Sequence, residues 1–320
     1  MKIIVTGGAG FLGSYLCEFL LNQGDEVICV DNLLTSHEDN IKDLITNPNF
    51  KFLKHDITED LPADLQADQI YHLASPASPN MHSKKSYHAL PFETMAANTT
   101  GTWKLAQKAL DMGAKFLFAS TSEIYGDPLE HPQKEEYRGN VSTTGPRAVY
   151  DESKRFGETI TATYIRSKNL DGRIIRIFNT YGPKMALDDG RVVLEFILAA
   201  LKNEPIPIFG DGTQTRSFCY VTDLIKGIVA AMNTENTKGE VFNLGNGDEY
   251  TVMELAEKIK LLTNSQSEIK ITEPMPEDDP TRRRPDITRA KEKLHWEPQV
   301  SLDEGLAKMI EYLKNPTDSH

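Results

Sequence analysis

The sequence predicts an α/β protein: a doubly wound parallel sheet followed by a smaller C-terminal α/β region. Three observations carry this expectation. Short β-branched runs alternate with helical patterns through the first half, as in a parallel sheet covered on both faces. A glycine-rich turn spanning Gly7, Gly10 and Gly13 joins the first such run to the first helical pattern. After Asn179 the alternation is broken by Pro183, Pro205, Pro207 and several glycines.

The predicted strands are Lys2–Thr6, Glu26–Asp31, Lys51–Lys54, Gln69–Leu73, Lys115–Thr121 and Arg173–Phe178. Helices are expected at Phe11–Asn22, Thr99–Met112 and Tyr150–Ser167. In the first of these, Leu12, Leu16, Phe19 and Leu20 recur at helical spacing and Gly24 is the stop signal. Beyond Asn179, helices are expected at Arg191–Lys202, Thr222–Met232 and Val252–Thr263, with strands at Ile206–Phe209 and Glu240–Leu244. Residues 274–285 form a proline-punctuated charged loop containing Arg282, Arg283 and Arg284. The expected division is 1–178 for the sheet domain with a return segment near 216–245, 179–314 for the second region, and 315–320 as a tail.

At 320 residues the chain can bury a large core, and 39% apolar with 26% charged residues is ordinary for a globular protein. A net charge of −12 argues against a nucleic-acid or anionic-membrane surface. Cys17, Cys29 and Cys219 lack paired or metal-like spacing and sit among apolar residues, so inert buried thiols are expected. No apolar run reaches the ~18 residues of a membrane span. With a strand from Lys2 leaving no room for a signal peptide, the expected location is cytoplasmic. The eight histidines show no metal spacing, and no metal site is expected.

Gly7, Gly10 and Gly13 follow a strand and open a helix, the context in which backbone amides approach a pyrophosphate. Asp31 ends the second strand 18 residues past Gly13. A carboxylate there can accept both ribose hydroxyls of NAD and would repel the extra phosphate of NADP. Asp56, at the end of the next strand, is placed to face the adenine. These residues describe a Rossmann-type dinucleotide site.

Tyr150 and Lys154 are one helical turn apart on one face. An ammonium beside a phenol, with the positive nicotinamide ring of NAD⁺, lowers its pKa from about 10, which lets the tyrosine act as base and then as acid. The Lys115–Thr121 strand delivers Thr121, Ser122 and Glu123 at its carboxyl end, the edge where open α/β sheets bind ligands. Thr121 can hydrogen-bond a reacting oxygen, and Glu123 adds a second acid/base group.

These residues carry a resemblance. The chain resembles the extended short-chain dehydrogenase/reductases that act on nucleotide sugars, and among them the UDP-glucuronate decarboxylases. The match runs from Met1 to about Lys314. Its most specific stretches are residues 119–133, 176–183, 189–193, 212–218 and 282–287. Ser122 stands where related 4,6-dehydratases have the aspartate that expels a C6 hydroxyl. The resemblance implies tightly held NAD, with contacts from Gly7, Gly10, Phe11, Leu12, Gly13, Asp31, Asn32, Asp56, Ile57, Leu73, Tyr150, Lys154 and Arg191. It implies a UDP-sugar held by Asn179, Arg216 and Arg283, with Arg283 nearer the sugar. It implies C4 oxidation, loss of CO₂ and re-reduction to UDP-xylose, with Thr121 and Ser122 orienting the sugar and Glu123 assisting decarboxylation. A homodimer built on the helices around Thr99–Met112 and Tyr150–Ser167 is a further implication. The alternatives are a 4-epimerase, or a decarboxylase releasing the 4-keto pentose. One departure is local: the family's Lys-Thr-Asn is Ala96-Ala97-Asn98 here, and the 79–92 loop differs. Lys84 or Lys85 is the expected substitute cation.

Overall fold

The computed structural model describes residues 1–275 and 278–315. Of the expected 315–320 tail, only Asn315 is among them. The central sheet uses β1 (Lys2–Thr6), β2 (Glu26–Asp31), β3 (Phe50–Lys54), β4 (Gln69–His72), β5 (Lys115–Thr121) and β6 (Gly172–Ile177). A seventh strand, Val241–Leu244, pairs parallel with β6 from Val241 opposite Ile174 to Leu244 opposite Ile177. Across the sheet the order is Val241–Leu244, β6, β5, β4, β1, β2, β3, with every pair parallel.

The strands read as nearly continuous apolar runs because both faces are covered. Adjacent residues enter opposite cores. Ile3, Val5, Leu117 and Ala119 join one buried cluster, whereas Ile4, Phe116 and Phe118 join the other. This is the two-residue alternation of a pleated strand, read out as two separate cores.

Helices cover the sheet. α1 (Phe11–Asn22) follows β1, and α2 (Pro91–Ala96) continues through a wide turn at Ala97–Gly101 into α3 (Thr102–Met112). The helical stretch thus starts eight residues before the expected Thr99. Pro91 favours that start, since its fixed φ suits the first turn and its missing N–H is not needed there. α4 (Ala148–Lys168) ends on Asn169 in the left-handed conformation, φ 59°.

The chain runs outward from β1 to β3 and then returns to β4 on the other side of β1. Strand order therefore reverses between β1 and β4, and open α/β sheets bind ligands beyond the strand ends at such a point. In the C-terminal region Thr215–Ser217 pairs with Glu249–Thr251 and with Arg282–Arg283. That register sets Arg283 directly opposite Arg216, although 67 positions separate them. Ile206–Phe209 and Ile269–Glu273 form a further parallel pair. Among the described residues, no helix is long and apolar enough to cross a membrane.

Candidate active site

A cleft of about 1500 Å³ runs along the carboxyl ends of the sheet strands. Every site residue expected from the sequence lines it. At one end lie Gly7, Gly10, Phe11, Leu12 and Gly13, with Asp31, Asn32, Asp56, Ile57 and Leu73 beside them. At the other lie Thr121, Ser122, Glu123, Tyr150, Lys154, Asn179, Arg191, Arg216 and Arg283.

The glycine loop is tight for a physical reason. Gly7 has φ +71°, and a Cβ on it would lie 2.8 Å from the Ala74 backbone. A Cβ on Gly13 would lie 2.0 Å from the Gly7 carbonyl oxygen. Without these side chains the loop folds back on itself, and α1 begins at the cleft with its first-turn amides free for an anion. Asp31 is more heavily engaged than expected. Its Oδ2 accepts from Ala9 N at 3.0 Å, and its Oδ1 accepts from Leu33 N at 2.9 Å and Ser36 Oγ at 2.7 Å. A carboxylate offers about four acceptor positions. Asp31 therefore has room for one ribose hydroxyl, and a second requires Ser36 to turn away. Asn32 donates to Asp56 at 2.9 Å, which joins the ends of β2 and β3.

At the far end, β5 stops at Thr121, whose Oγ1 accepts from Glu123 N at 3.2 Å and caps the short turn Ser122–Tyr125. Ser122 is buried on that turn. The Tyr150 hydroxyl is hydrogen-bonded to Thr121. The pKa lowering is expected from Lys154 together with the nicotinamide ring, and in the chain alone burial outweighs it. Burial pushes Tyr150 up to about 12, opposed chiefly by the positive field of Arg191 and by the Thr121 bond. Lys154 donates to the Ala119 carbonyl at 2.8 Å, its Nζ is 5.9 Å from the centre of the Tyr150 ring, and burial pushes it down to about 7. Arg191 is held by the Ala77 carbonyl at 3.2 Å and Asp189 at 3.4 Å.

Glu123 also departs from its expected acid/base part. Burial favours its neutral form, but Arg283 and Arg147 outweigh that and hold the carboxyl well below the usual range. It is a fixed anion. Arg147 reaches it at 2.5 Å, Arg283 contacts its other oxygen, and Arg283 also donates to the Gly126 carbonyl. Asp279 continues the chain, bridging Arg147 at 3.1 Å and Arg216 at 2.9 Å. The result is an alternating row: Arg283, Glu123, Arg147, Asp279, Arg216. Within the arginine run, Arg283 is buried while Arg282 is exposed. Asn179 lines the cleft nearby, its carbonyl accepting from Cys219 N.

Several residues here escaped the sequence reading. Arg147 sits three positions before Tyr150, on the same side of the helix start, and that spacing was its one local signal. Tyr87 is 1% exposed and stacks on Tyr150, its hydroxyl buried with no partner among the described residues. Asp151 is buried, and burial, reinforced by the charge of Glu123, pushes it up to about 8. In the 79–92 loop, Lys85 lines the cleft and Lys84 does not. Lys85 Nζ lies 2.5 Å from His37 Nε2, which draws it to the loop after β2, and Lys84 is exposed. Arg147 is the cation whose field bears on the buried Tyr87 hydroxyl.

Comparison with known proteins agrees with this layout. UDP-glucuronic acid decarboxylase 1 of Arabidopsis thaliana is 50% identical over 315 residues, covering 98% of this chain and 70% of that protein. The protein of the same name from Danio rerio is 48% identical, covering 97% and 72%. Among solved structures, a UDP-glucose 4-epimerase from Thermotoga maritima with UDP-glucose has TM-score 0.88 and 32% identity, covering 99% of this chain and all of that one. A UDP-glucuronic acid 4-epimerase variant from Bacillus cereus, with UDP-4-deoxy-4-fluoro-glucuronic acid and NAD, has TM-score 0.88 and 30% identity, covering 98% and 99%. The model of the NAD dependent epimerase/dehydratase family matches residues 3–245, which span the sheet and nearly all of the cleft's catalytic end. With glycine loop, Tyr150 and Lys154 all inside that match, the chain belongs to the NAD dependent epimerase/dehydratase family.

Proposed function

We propose that the chain is an NAD-dependent UDP-glucuronate decarboxylase that forms UDP-xylose. The observation carrying this reading is the Thr121-Ser122-Glu123 turn, set beside Tyr150 and locked to Arg147 and Arg283. Half-identity to decarboxylases over nearly the whole chain supports it.

The nucleotide end fits NAD. Gly7 and Gly13 cannot carry side chains, and the Asp31 carboxylate at the end of β2 disfavours a 2′-phosphate. When bound there, NAD⁺ would supply reversible hydride exchange with C4 of the sugar. Tyr150 takes the proton of the C4 hydroxyl, with Thr121 sharing the hydrogen bond and Arg191 favouring the phenolate. The sugar is then a β-keto acid. Its C5–C6 bond breaks, CO₂ leaves, and the electron pair passes to the C4 oxygen as an enolate. Tyr150, now protonated, and Thr121 stabilise that oxygen. C5 takes a solvent-derived proton, and Tyr150 returns its proton to the C4 oxygen as the hydride comes back. Glu123 donates no proton in this scheme. It holds Arg147 and Arg283 in the cleft, where they would bind the anionic substrate.

A second reading, 4-epimerisation with the carboxylate retained, is favoured by Ala96, which offers no charge at the cleft where the resembled decarboxylases carry lysine. NMR of the products formed from UDP-glucuronate separates the two. UDP-xylose supports decarboxylation, and UDP-galacturonate establishes epimerisation.

The reading includes a cytoplasmic homodimer formed through α3 and α4. Trp103 on α3 and Phe156 on α4 are 57% and 51% exposed, and with Thr99, Thr100 and Ile160 they line one shallow apolar depression. Large exposed aromatic side chains grouped in this way mark an interaction surface.

A further inference from the structure

The cation row at the substrate end contains an anion for which the reaction has no chemical use. Asp279 Oδ1 accepts from Arg147 Nη1 at 3.1 Å, and its Oδ2 accepts from Arg216 Nη2 at 2.9 Å. Both arginine side chains are 11% exposed, whereas Asp279 is 25% exposed and lines the cleft. One oxygen on each of two fixed guanidiniums is the contact that a phosphate would make.

The surroundings ask for a further anion. The row has three guanidiniums and two carboxylates, so removing Asp279 leaves two uncompensated positive charges in a buried site. Nε of Arg147 and Nε of Arg283 are buried with no partner among the described residues. A diphosphate entering in place of Asp279 would neutralise that charge.

The backbone lets Asp279 leave without disturbing the row. Asp278 before it turns through a left-handed φ of 62°, a conformation aspartate tolerates. Two residues later Thr281 is pinned to Asp127 through both its N–H, at 2.9 Å, and its hydroxyl, at 3.0 Å. Asp279 thus lies on a short tether between a turn and an anchor, while Arg283 stays in its strand beyond the anchor.

We propose that Asp279 is a resident anion for the diphosphate subsite, displaced from Arg147 and Arg216 when a nucleoside diphosphate enters. This inference rests on the nucleotide-sugar reading above. Displacement makes the competent state a minor one in the free protein, and apparent affinity falls by the population of that state. Asp279 also keeps two buried cations paired between turnovers, which limits the cost of an unpaired buried charge.

The test is calorimetric titration of the NAD-loaded protein with UDP and with UMP. Asp279→Asn, which keeps the shape and removes the charge, is expected to bind UDP about tenfold tighter. UMP, lacking the β-phosphate, should gain much less, and KM for UDP-glucuronate should fall without a rise in kcat. Equal or weaker UDP binding by Asp279→Asn would overturn the proposal and leave Asp279 a structural clamp. A structure of the unaltered protein with UDP gives an independent answer. Asp279 should lie beyond the ion-pair limit of about 4 Å from Arg216, and an intact bridge beside bound UDP would equally overturn it. If UDP binds neither protein, the nucleotide-sugar reading itself falls.

Discussion

Tyr87 lies face to face with Tyr150, ring centroids 5.0 Å apart and planes 12° from parallel. Tyr87 in turn packs on His88 at 4.4 Å, so the 79–92 loop reaches the reacting group through an aromatic ladder. An aromatic pair contributes about 1 kcal/mol beyond its burial, so Tyr87→Leu should lower kcat/KM roughly three- to tenfold. Tyr87→Phe should keep most activity, because the hydroxyl has no partner among the described residues. Steady-state kinetics of both variants decide whether ring or hydroxyl matters.

Arg191 is the largest electrostatic influence favouring the Tyr150 phenolate. For oxidation of the sugar, Tyr150 must be deprotonated, and removing a positive charge disfavours that form. In Arg191→Gln the acid limb of the kcat/KM–pH profile should therefore move to higher pH. Activity lost at pH 7 should recover partly by pH 9. A limb that stays in place would show that Arg191 acts on binding alone.

Glu123 is held ionised by two guanidiniums. Its folded pKa lies below its unfolded value, so its contribution to stability is present above about pH 4.5 and is lost as pH falls below that. Glu123→Gln should cost about 3–5 kcal/mol at pH 7, since it leaves buried cations unpaired. Its loss of stability between pH 5 and 3 should also be shallower than in the unaltered protein. Denaturant unfolding at pH 7 and pH 3.5 measures both effects.

Trp103→Asp with Phe156→Asp places charge on the exposed aromatic surface of α3 and α4. Light scattering after size exclusion should report twice the 35.9 kDa chain mass for the unaltered protein and the single-chain mass for the double variant. A monomer in both cases would remove the dimer from the account.

The parts of the site legible in the sequence were those whose chemistry is local. Gly7, Gly10 and Gly13 act through backbone space next to a strand, and Tyr150 and Lys154 share one helical turn. Thr121 and Glu123 could be placed because β5 is strongly apolar and stops where they begin. The illegible parts depend on long-range pairing. Arg147 meets Asp279 across 132 positions, and Lys85 meets His37 across 48. No spacing rule reaches that far. The sign of the Tyr150 shift was hidden for another reason. It is set by burial, which an adjacent lysine does not offset when that lysine is itself desolvated and tied to Ala119. The helix that begins at Pro91 was placed late because Ala97–Gly101 interrupts its periodicity with a wide turn.

The central claim is that a transient C4 ketone made at Tyr150 drives loss of the C6 carboxylate. Turnover of UDP-glucuronate in D₂O, followed by NMR, tests it most directly. The account predicts UDP-xylose with one deuterium at C5 and the original protium at C4, because the same hydride leaves and returns. A six-carbon product inverted at C4, or unreacted substrate alongside bound NAD, would contradict it.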